Sequence, residues 1–381
     1  MKSIVFSNSV KNINSGSTVL DLRKKSFDHD LVNANVIDIK ELYEANGKVW
    51  IDSYSKWMGG LNGCNNSLTW WSHTCTSKSL LSTPLGERFI EVQAICNIAK
   101  KDNESTLYIL GASPGQIESV IMYLGRKNFN YSWHLFKTLK VLVGIRVFFN
   151  IFRRASSVMT IFLNYRGRKF SGKVDVCLFT YADGSRRKGI DNYFGQLDRM
   201  MSYNKLSIVY LAYIYKPYRK RLRELFDEKT MTPYFPIFSI MRFQDYLSSF
   251  LLVMREMKNC MGSFDYTYVG NKAYKPLLKE GFINDIEGVL LYNIYVYKSI
   301  RNFLREYNSR FIVYPFENKS VEKMIIQAVR DENTKTMIIG YQHTSLAPRH
   351  TNLIFSHGEA SNTPLPDKII TTGKIIDYEI I

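Results

Sequence analysis

Residues 311–343, FIVYPFENKSVEKMIIQAVRDENTKTMIIGYQH, decide the fold of this chain. Short β-branched and aromatic runs at Phe311–Phe316 and Met337–Tyr341 predict two strands. Between them, apolar residues recur at i, i+3, i+4, i+7 and i+8 from Val321 and predict a helix, with Asn318 placed to cap its first turn. A strand, a crossover helix and a second strand predict a right-handed, parallel β-α-β unit.

Polar residues follow the strands of this unit, at the edge where ligands bind in open α/β sheets. Glu317 and Asn318 come after the first strand, and His343 comes after the second. Because the carboxyl ends of parallel strands meet at one edge, we expect these side chains to face a common crevice. A third predicted strand, Lys368–Thr372, would bring Gly373 to the same edge.

The α/β alternation continues upstream. From residue 174 the segments VDVCLFTYAD, IDNYFGQLDRMMSY and KLSIVYLAYIY predict a strand, a helix and a strand, and KPYRKRLRELF predicts a basic helix. Residues 231–260 and 277–308 are predicted to be helical, with a short strand at Tyr266–Val269 between them. Near the N-terminus, Ser3–Phe6 and Thr18–Leu22 predict strands. This rhythm predicts a parallel sheet with flanking helices.

The run TLYILG at residues 106–111 predicts a strand that leads into a helix at Ser113, Pro114 and Gln116. This spacing is typical of a helix start with a capping box. Two interpretations stay open, namely a plain capped βα junction and a phosphate contact, although the glycine-rich fingerprint of nucleotide sites is absent.

The composition is that of a folded, basic protein. The 381 residues are 45% hydrophobic and 22% charged, enough for one large or two medium cores. The net charge of +17 indicates an anionic partner: nucleic acid, a phosphorylated small molecule or an anionic membrane surface.

The cysteines and the apolar runs favour a reducing, cytoplasmic setting. The five cysteines are odd in number, widely spread and without CxxC spacing, so neither a disulfide framework nor a zinc site is predicted. No signal peptide and no apolar run of about 18 residues for a membrane span is recognisable.

Residues 119–174 hold eleven Lys or Arg and no Asp or Glu. Wound as a helix from Leu139, the segment places Arg146, Asn150, Arg153 and Arg154 on one face. It suits a helix lying in the plane of an anionic bilayer, and equally a core helix whose arginines are solvated at one edge. A nucleic-acid groove is a third interpretation, without a supporting motif.

A carboxylate beside basic residues appears at another predicted strand end. Asp183 closes VCLFTYAD, and the following loop holds Arg186, Lys188 and Asp191. Such a group suits a general base for a hydroxyl while the cations hold phosphate. Alternatively, Asp191 is a helix N-cap and the basic residues are a solvated loop. Glu317 likewise suits a base or a carboxylate bound to the amides of its own helix.

His343 is the first candidate among the six histidines. It follows an apolar strand and precedes Thr344, so its imidazole should lie at the crevice mouth, where it can hold a phosphate oxygen or move a proton. No HxxxH or HxH pairing is present, so no metal site is predicted.

Five stretches together resemble the bacterial surface-carbohydrate biosynthesis proteins, a glycosyltransferase-like group with the two-Rossmann GT-B fold. The stretches are TWWSHTCTSKS at 69–79, FTYADGSRRKGIDNYFGQL at 179–197, YPFENKSVEKMI at 314–325, GYQHTSLAP at 340–348 and PLPDKIITTG at 364–373. The His343 motif is also similar to that of capsule Kdo transferases and teichoic-acid polymerases.

The resemblance implies transfer of a sugar from a nucleotide-activated donor to a lipopolysaccharide O-antigen or capsule glycan, or to a lipid-linked acceptor, at the inner face of the cytoplasmic membrane. No cofactor beyond the nucleotide-sugar substrate is implied. The catalytic residues would be Asp183, Glu317 and His343. The donor would be bound by Asn318, Gln342, Thr344 and Gly373, and the other substrate groups by Trp71, Arg186, Lys188, Asp191 and Tyr193.

The expected domain organisation is one GT-B-like Rossmann domain on the acceptor side. It covers residues 1–363, with the basic helical insertion at about 119–174, and residues 364–381 begin a donor-binding domain that is largely absent. The alternative functions are a non-catalytic or truncated membrane-associated subunit of polysaccharide assembly and, less favoured, a nucleic-acid-binding protein.

Overall fold

The structure, a computed structural model, describes residues 3–7, 13, 16–23, 34–80, 82–101, 106–125, 129–130, 133–165, 170–182, 191–214, 232–332, 334–342 and 351–371.

The first of two parallel sheets lies in the N-terminal part of the chain. Its strand order is β3-β2-β4-β1-β5, and every described pairing is parallel. The strands are β1 (Ser3–Ser7), β2 (Thr18–Asp21), β3 (Asn35–Ile37), β4 (Thr106–Leu110) and β5 (Phe129–Asn130). The predicted strands at the N-terminus and at 106–111 are confirmed.

The second sheet has six described strands in the order β11-β10-β9-β6-β7-β8, again all parallel. They are β6 (Val176–Tyr181), β7 (Ile208–Tyr213), β8 (Tyr234–Pro236), β9 (Phe311–Pro315), β10 (Met337–Tyr341) and β11 (Lys368–Ile370).

Ten α-helices connect the strands of the described residues. They are α1 (Ile39–Cys64), α2 (Leu68–Ser72), α3 (Leu85–Lys101), α4 (Pro114–Leu124), α5 (Trp133–Tyr165), α6 (Leu197–Tyr203), α7 (Phe243–Met261), α8 (Lys275–Gly288), α9 (Leu290–Tyr307) and α10 (Ser320–Asp331). None of the helices in these ranges is both long and apolar enough to cross a membrane.

The fold is α/β, with parallel sheets flanked by helices, and is compatible with a Rossmann-like arrangement. It differs from the expected organisation, because the described residues form two sheets where the sequence predicts one and the start of another. The strand at Lys368–Ile370 pairs with β10 and is an edge of the second sheet. The described residues from 364 to 371 therefore contribute a strand to the second sheet.

The unit formed by β9, α10 and β10 is as predicted, with the two strands parallel and Phe311 opposite Met337. The expected role of Asn318 as helix cap is wrong. Lys319 is the N-cap residue, and Asn318 adopts a left-handed backbone with a φ of 52°.

Two other predicted elements differ. No strand forms at Tyr266–Val269, which runs as an irregular segment after α7. The helix predicted after residue 190 forms only its second half, α6, because residues 191–195 make a turn. The predicted basic helix KPYRKRLRELF lies outside the described residues.

A single main apolar core connects the two sheets. Leu107 from the first sheet and Phe179 and Ile312 from the second belong to the same cluster of buried side chains. The helix α9 runs through this cluster, and residues 290–297 at its start are all buried. The first two turns of α9 are therefore enclosed by the core on every side.

The long helix α5 packs on the rest of the protein through a buried apolar face and through the polar residues beside it. Arg146 Nη2 lies 2.7 Å from Glu287 Oε2, and Asn150 Nδ2 donates to Glu287 Oε1 at 2.6 Å. Arg154 Nε donates to the backbone oxygen of Glu287 at 3.0 Å. Three of the four polar residues predicted to share one face thus contact the end of α8.

Candidate functional site

Four ionisable side chains gather at the carboxyl edge of the second sheet, and we call them the carboxyl-edge cluster. They are Tyr181, Glu317, Lys319 and Glu322. Tyr181 ends β6, Glu317 and Lys319 follow the neighbouring strand β9, and Glu322 lies in the first turn of α10. The β-α-β unit therefore brings them to one edge, as expected for an open α/β sheet.

Glu317 and Lys319 form the outer part of the carboxyl-edge cluster. Their side chains make an ion pair and are 22% and 37% exposed, so both reach solvent. Burial lowers the pKa of Lys319, but the hydrogen bond and charge of Glu317 and the charge of Glu322 outweigh it, so this pKa lies above its ordinary value. The Glu317 carboxylate is thus paired with Lys319, the N-cap residue of the helix that follows it.

Glu322 forms the inner part and is fully buried. Its Oε2 accepts the backbone N–H of Glu317 at 2.9 Å, while Oε1 has no hydrogen-bond partner among the described residues. Burial raises the pKa of Glu322 to about 8, against the opposing effects of the Glu317 amide and the Lys319 charge. At neutral pH this carboxyl therefore holds a proton.

The Tyr181 hydroxyl is buried and has no hydrogen-bond partner in the described ranges. Burial, and then the charges of Glu322 and Glu317, raises its pKa well above the ordinary value, so the phenol stays neutral. Lys319 Nζ lies 5.7 Å from the centre of its ring, within the range of a cation–π contact.

The carboxyl-edge cluster thus combines a protonated acid, a second carboxyl group paired with a cation, and a neutral phenol. Unlike environments for two neighbouring carboxyl groups are a common arrangement for acid and base roles. A ligand can reach Glu317 and Lys319. The buried Glu322 affects both, through its hydrogen bond to the Glu317 amide and through its charge near Lys319.

Asn318 connects the loop after β9 to the segment around Asn352 by hydrogen bonds. Its Nδ2 donates to the backbone oxygen of Asn352 at 2.6 Å, and Asn352 Nδ2 donates to the backbone oxygen of Glu317 at 2.5 Å. The Oδ1 atoms of both amides are buried without a partner among the described residues. Two such acceptors beside Glu317 are suited to a donor group from water or a ligand.

Asp191 holds a turn together at the same edge. Its Oδ1 accepts the backbone N–H groups of Tyr193 and Phe194 at 2.9 and 3.0 Å, and its Oδ2 accepts the Thr180 hydroxyl at 2.8 Å and the Tyr234 hydroxyl at 3.5 Å. A carboxylate with both oxygens so occupied has no free acceptor for a substrate. Asp191 therefore caps backbone amides, as the alternative interpretation predicts, but the element that it caps is a turn and not the start of a helix.

The other expected site residues in the described ranges differ in position. Tyr193 packs against the Tyr181 ring with centroids 5.5 Å apart, beside the carboxyl-edge cluster. Gln342 follows β10 and is fully buried, with its backbone N–H on the Ile370 oxygen. Trp71 is buried in α2 under the Lys323 ammonium, 4.8 Å from the ring centre, so it contacts no substrate in this arrangement.

Six expected site residues lie outside the described residues, and their roles stay predictions. They are Asp183, Arg186, Lys188, His343, Thr344 and Gly373. Asp183 and His343 each come within two residues of a described strand end at the edge that holds the carboxyl-edge cluster.

The helix start at Ser113 is a capped junction and not an open phosphate site. The capping box with Gln116 is present. Glu280 of α8 occupies the helix terminus, where its Oε2 accepts the Ser113 hydroxyl at 2.8 Å and the Gly115 N–H at 2.7 Å. Arg88 binds the other oxygen of this carboxylate at 2.6 Å. The protein thus supplies its own anion there.

A second ionic group is buried around His73. Its Nδ1 lies 3.4 Å from Asp285 Oδ2, its Nε2 lies 3.6 Å from Glu256 Oε1, and its ring stacks on Phe282. Burial lowers the pKa of His73, but the two carboxylates outweigh this effect and raise the pKa above its ordinary value. Because His73 is fully buried, this group joins α7 and α8 to the segment after α2 and is not a reaction site.

Sequence reasoning missed Lys319, Glu322 and Tyr181. A signal existed for Glu322, since glutamate is favoured at the third position of a helix, where it can bond back to preceding amides. Its burial depends on the packing of α10 and could not be read from the local pattern. In the described ranges, no group of three His, Cys, Asp or Glu side chains is placed to hold a metal ion.

Comparisons with protein-family models, with curated proteins and with solved structures found no match to this chain.

Proposed function

We propose that this chain transfers a sugar from a nucleotide-activated donor to a glycan or lipid-linked acceptor, in the synthesis of a bacterial surface polysaccharide such as O-antigen or capsule. The carboxyl-edge cluster carries the proposal. A partly exposed carboxyl group and a partly exposed ammonium lie beside a helix N-terminus at the edge where α/β sheets bind their ligands.

In this reaction Glu317 acts as the base that takes the proton of the acceptor hydroxyl. Lys319 and the N-terminus of α10 hold the phosphate of the leaving nucleotide. Glu322 is protonated and neutral, so it adds no negative charge that would repel this phosphate. Asp183, His343, Arg186 and Lys188 remain expected contributors, and the site of action is the inner face of the cytoplasmic membrane.

The test measures nucleotide binding and donor consumption separately. Calorimetry with nucleoside mono- and diphosphates reports binding, and release of nucleotide from a panel of nucleotide sugars reports turnover. Lys319→Met should weaken nucleotide binding about tenfold, as expected for loss of a phosphate contact. Glu317→Gln should lower kcat by roughly 10²–10⁴, as expected for loss of a general base, with nucleotide affinity unchanged.

The matched controls are Lys48→Met and Glu41→Gln, which remove the same charges from exposed positions on α1. They should keep wild-type binding and turnover. Absence of nucleotide binding and turnover in the wild-type protein, with no effect of His343→Ala, would replace this proposal with a non-catalytic assembly subunit.

A further inference from the structure

The exposed face of α5 is aromatic. Ile145, Phe148, Phe149 and Phe152 follow one another at helical spacing and are 52%, 43%, 66% and 59% exposed. Another apolar face of α5, with Val147, Ile151 and Ala155, is buried in the core, and the polar residues Arg146, Asn150 and Arg154 contact Glu287. The helix therefore has a second apolar face that is left in solvent, which an ordinary surface helix lacks.

A second exposed apolar stripe lies on α7. Phe243, Leu247 and Leu251 are spaced at i, i+4 and i+8 and are 64%, 53% and 58% exposed, and Met261 at the end of the helix is 41% exposed. Residues at this spacing share one helix face. The opposite face of α7 carries the buried residues Ser249, Val253, Glu256 and Cys260.

The two stripes are adjacent because α5 and α7 run antiparallel. The Tyr246 hydroxyl donates to the backbone oxygen of Ala155. At the other end, a Cβ built on Gly144 would lie 3.6 Å from the Met261 methyl group. We call the combined surface the α5–α7 patch, formed by Ile145, Phe148, Phe149, Phe152, Phe243, Leu247, Leu251 and Met261. Contiguous apolar surfaces of this kind are rare on proteins without a partner for them.

The charges near the α5–α7 patch are mainly cationic. Arg153, Arg255 and Lys258 are exposed on the same two helices. The α5 sequence has no Asp or Glu. Of the two acids on α7, Glu256 is buried and Asp245 accepts a hydrogen bond from Asn302 Nδ2 at 2.7 Å. Apolar rings surrounded by cations suit the interface of an anionic bilayer.

A cavity of about 220 Å³ lies beneath the end of the patch where α7 begins. Its walls include Phe162 of α5 and Arg242, the residue before Phe243. The other aromatic wall residues are Phe170, Phe235, Phe303 and Tyr307. The lining also includes Ser239, Asn302 and Glu306, so the cavity is of mixed polarity.

We propose that the α5–α7 patch is the surface by which this protein binds an anionic lipid bilayer. Its aromatic and aliphatic side chains enter the interfacial region, and Arg153, Arg255 and Lys258 contact lipid phosphates. This inference rests on the proposed membrane association and names its surface, which is the aromatic face of α5 and not the face of Arg146 and Arg154.

The test is cosedimentation of the full chain with vesicles of phosphatidylcholine alone or mixed with phosphatidylglycerol. The wild-type protein should pellet with the mixed vesicles, and less at high salt. Phe149→Ser, Phe152→Ser and Leu247→Ser should each lower the vesicle partition coefficient roughly fivefold to tenfold, since each removes apolar area that enters the interface. Arg153→Glu should lower binding only to the vesicles with phosphatidylglycerol.

Val49→Ser and Met200→Ser are the matched controls, because these side chains are equally exposed, at 66% and 68%, but lie on α1 and α6. They should bind as the wild-type protein does. Light scattering checks whether the patch joins two copies of the chain, and a dimer lost in Phe149→Ser would overturn the inference.

Two further outcomes separate this inference from the proposals above. Equal vesicle binding by the wild type and the patch variants would overturn the inference and leave membrane association standing. No vesicle binding by the wild type would overturn both, while sugar transfer is decided by the nucleotide measurements.

Discussion

At the scale of single residues, Glu322 and Lys323 are the most unusual pair in the protein. They are consecutive in the first turns of α10, and both are fully buried. Burial raises the pKa of Glu322 to about 8 and lowers that of Lys323 to about 7. Each group therefore makes the free energy of unfolding depend on pH, and the two dependences have opposite signs.

Glu322→Gln should remove a loss of stability that accumulates as pH rises from about 4.5 to 8. The folded state holds the Glu322 proton up to about pH 8, whereas an ordinary glutamate releases it near 4.5. The contribution of this group is thus present below pH 4.5 and is lost as pH rises through 8, by roughly 5 kcal/mol at most. Urea denaturation between pH 5 and 9 should give a flatter profile for the variant, and Glu41→Gln should keep the wild-type slope.

Lys323→Met should act in the opposite direction. A folded-state pKa near 7 means that the contribution of Lys323 is present above its ordinary pKa of 10.5 and is lost as pH falls through 7. The variant should therefore gain most stability relative to the wild type near pH 6.5, and this gain should shrink toward pH 10. The Thr76 oxygen keeps the Asn62 Nδ2 hydrogen bond at 2.9 Å, so no buried acceptor is left unpaired. A constant difference across this range would contradict the assigned burial effect.

These buried residues could not be recognised from the sequence, because their partners are far away in it. Lys323 Nζ donates to Thr76, and His73 is held by Asp285 and Glu256. A lysine on a predicted helix is normally assigned to solvent. Only the packing of α10 on the segment after α2 reverses that expectation.

At the scale of elements, the start of α4 shows how closely two helices approach. Gly115 lies in the first turn of α4, directly against α8. A Cβ at Gly115 would meet Glu280 Oε2 at 2.2 Å and the Pro276 oxygen at 3.0 Å. The glycine is therefore required by the carboxylate that closes this helix end.

Two matched glycine substitutions should have opposite effects. Gly115→Ala should destabilise the protein by about 1–3 kcal/mol, because the new methyl group displaces the Glu280 carboxylate. Gly47→Ala, within α1, should stabilise it by about 0.5–1 kcal/mol, because nothing lies within 4 Å of the added methyl group and alanine favours the helix. Thermal unfolding of both variants decides the matter, and a loss at both sites would show that helix propensity is not the controlling factor at Gly47.

Elements with a strong local pattern were predictable. In the β9-α10-β10 unit, the apolar residues follow the spacing of a strand, then of a helix, then of a strand. The Ser113 capping box is defined by four consecutive residues. The strand predicted at Tyr266–Val269 failed because aromatic residues also serve tertiary contacts. There Tyr266 binds Glu256 at 2.7 Å and packs on Trp70 instead of entering a sheet.

At the scale of the whole molecule, one buried ion pair joins distant parts of the chain. Lys78 Nζ lies 2.6 Å from Glu359 Oε2 and donates to the Ile354 oxygen at 2.5 Å. The other oxygen of Glu359 accepts Asn62 Nδ2 at 2.8 Å. Both charged side chains are at most 1% exposed. The segment from 351 to 363 is thereby attached to α1 and to the turn after α2.

Glu359→Ala should destabilise the folded protein by about 3–5 kcal/mol, because it leaves the Lys78 ammonium buried without its counter-charge. The double variant Lys78→Met with Glu359→Ala should recover part of this loss. Urea denaturation of the single and double variants gives the coupling between the two sites. Additive effects would show that Lys78 finds another partner in the single variant.

The division of the chain between two sheets could not be predicted. The sequence correctly predicts strands at Thr18–Leu22, at 106–111 and at Lys368, but sheet membership depends on which strands pair. For example, β11 joins β10, while β4 inserts between β2 and β1. Periodicity within a strand contains no information about a neighbour a hundred residues away.

The ion pair between Lys78 and Glu359 also sets an order of events during synthesis. Its partners are 281 residues apart in the chain. At about 5–20 residues per second, a ribosome needs roughly 15–55 s to add the second partner after the first. Throughout that time the nascent chain carries Lys78 and Asn62 without the carboxylate that later binds both. The region after α1 therefore reaches its final packing only when residues near 359 have left the ribosome, and it must stay free of aggregation until then.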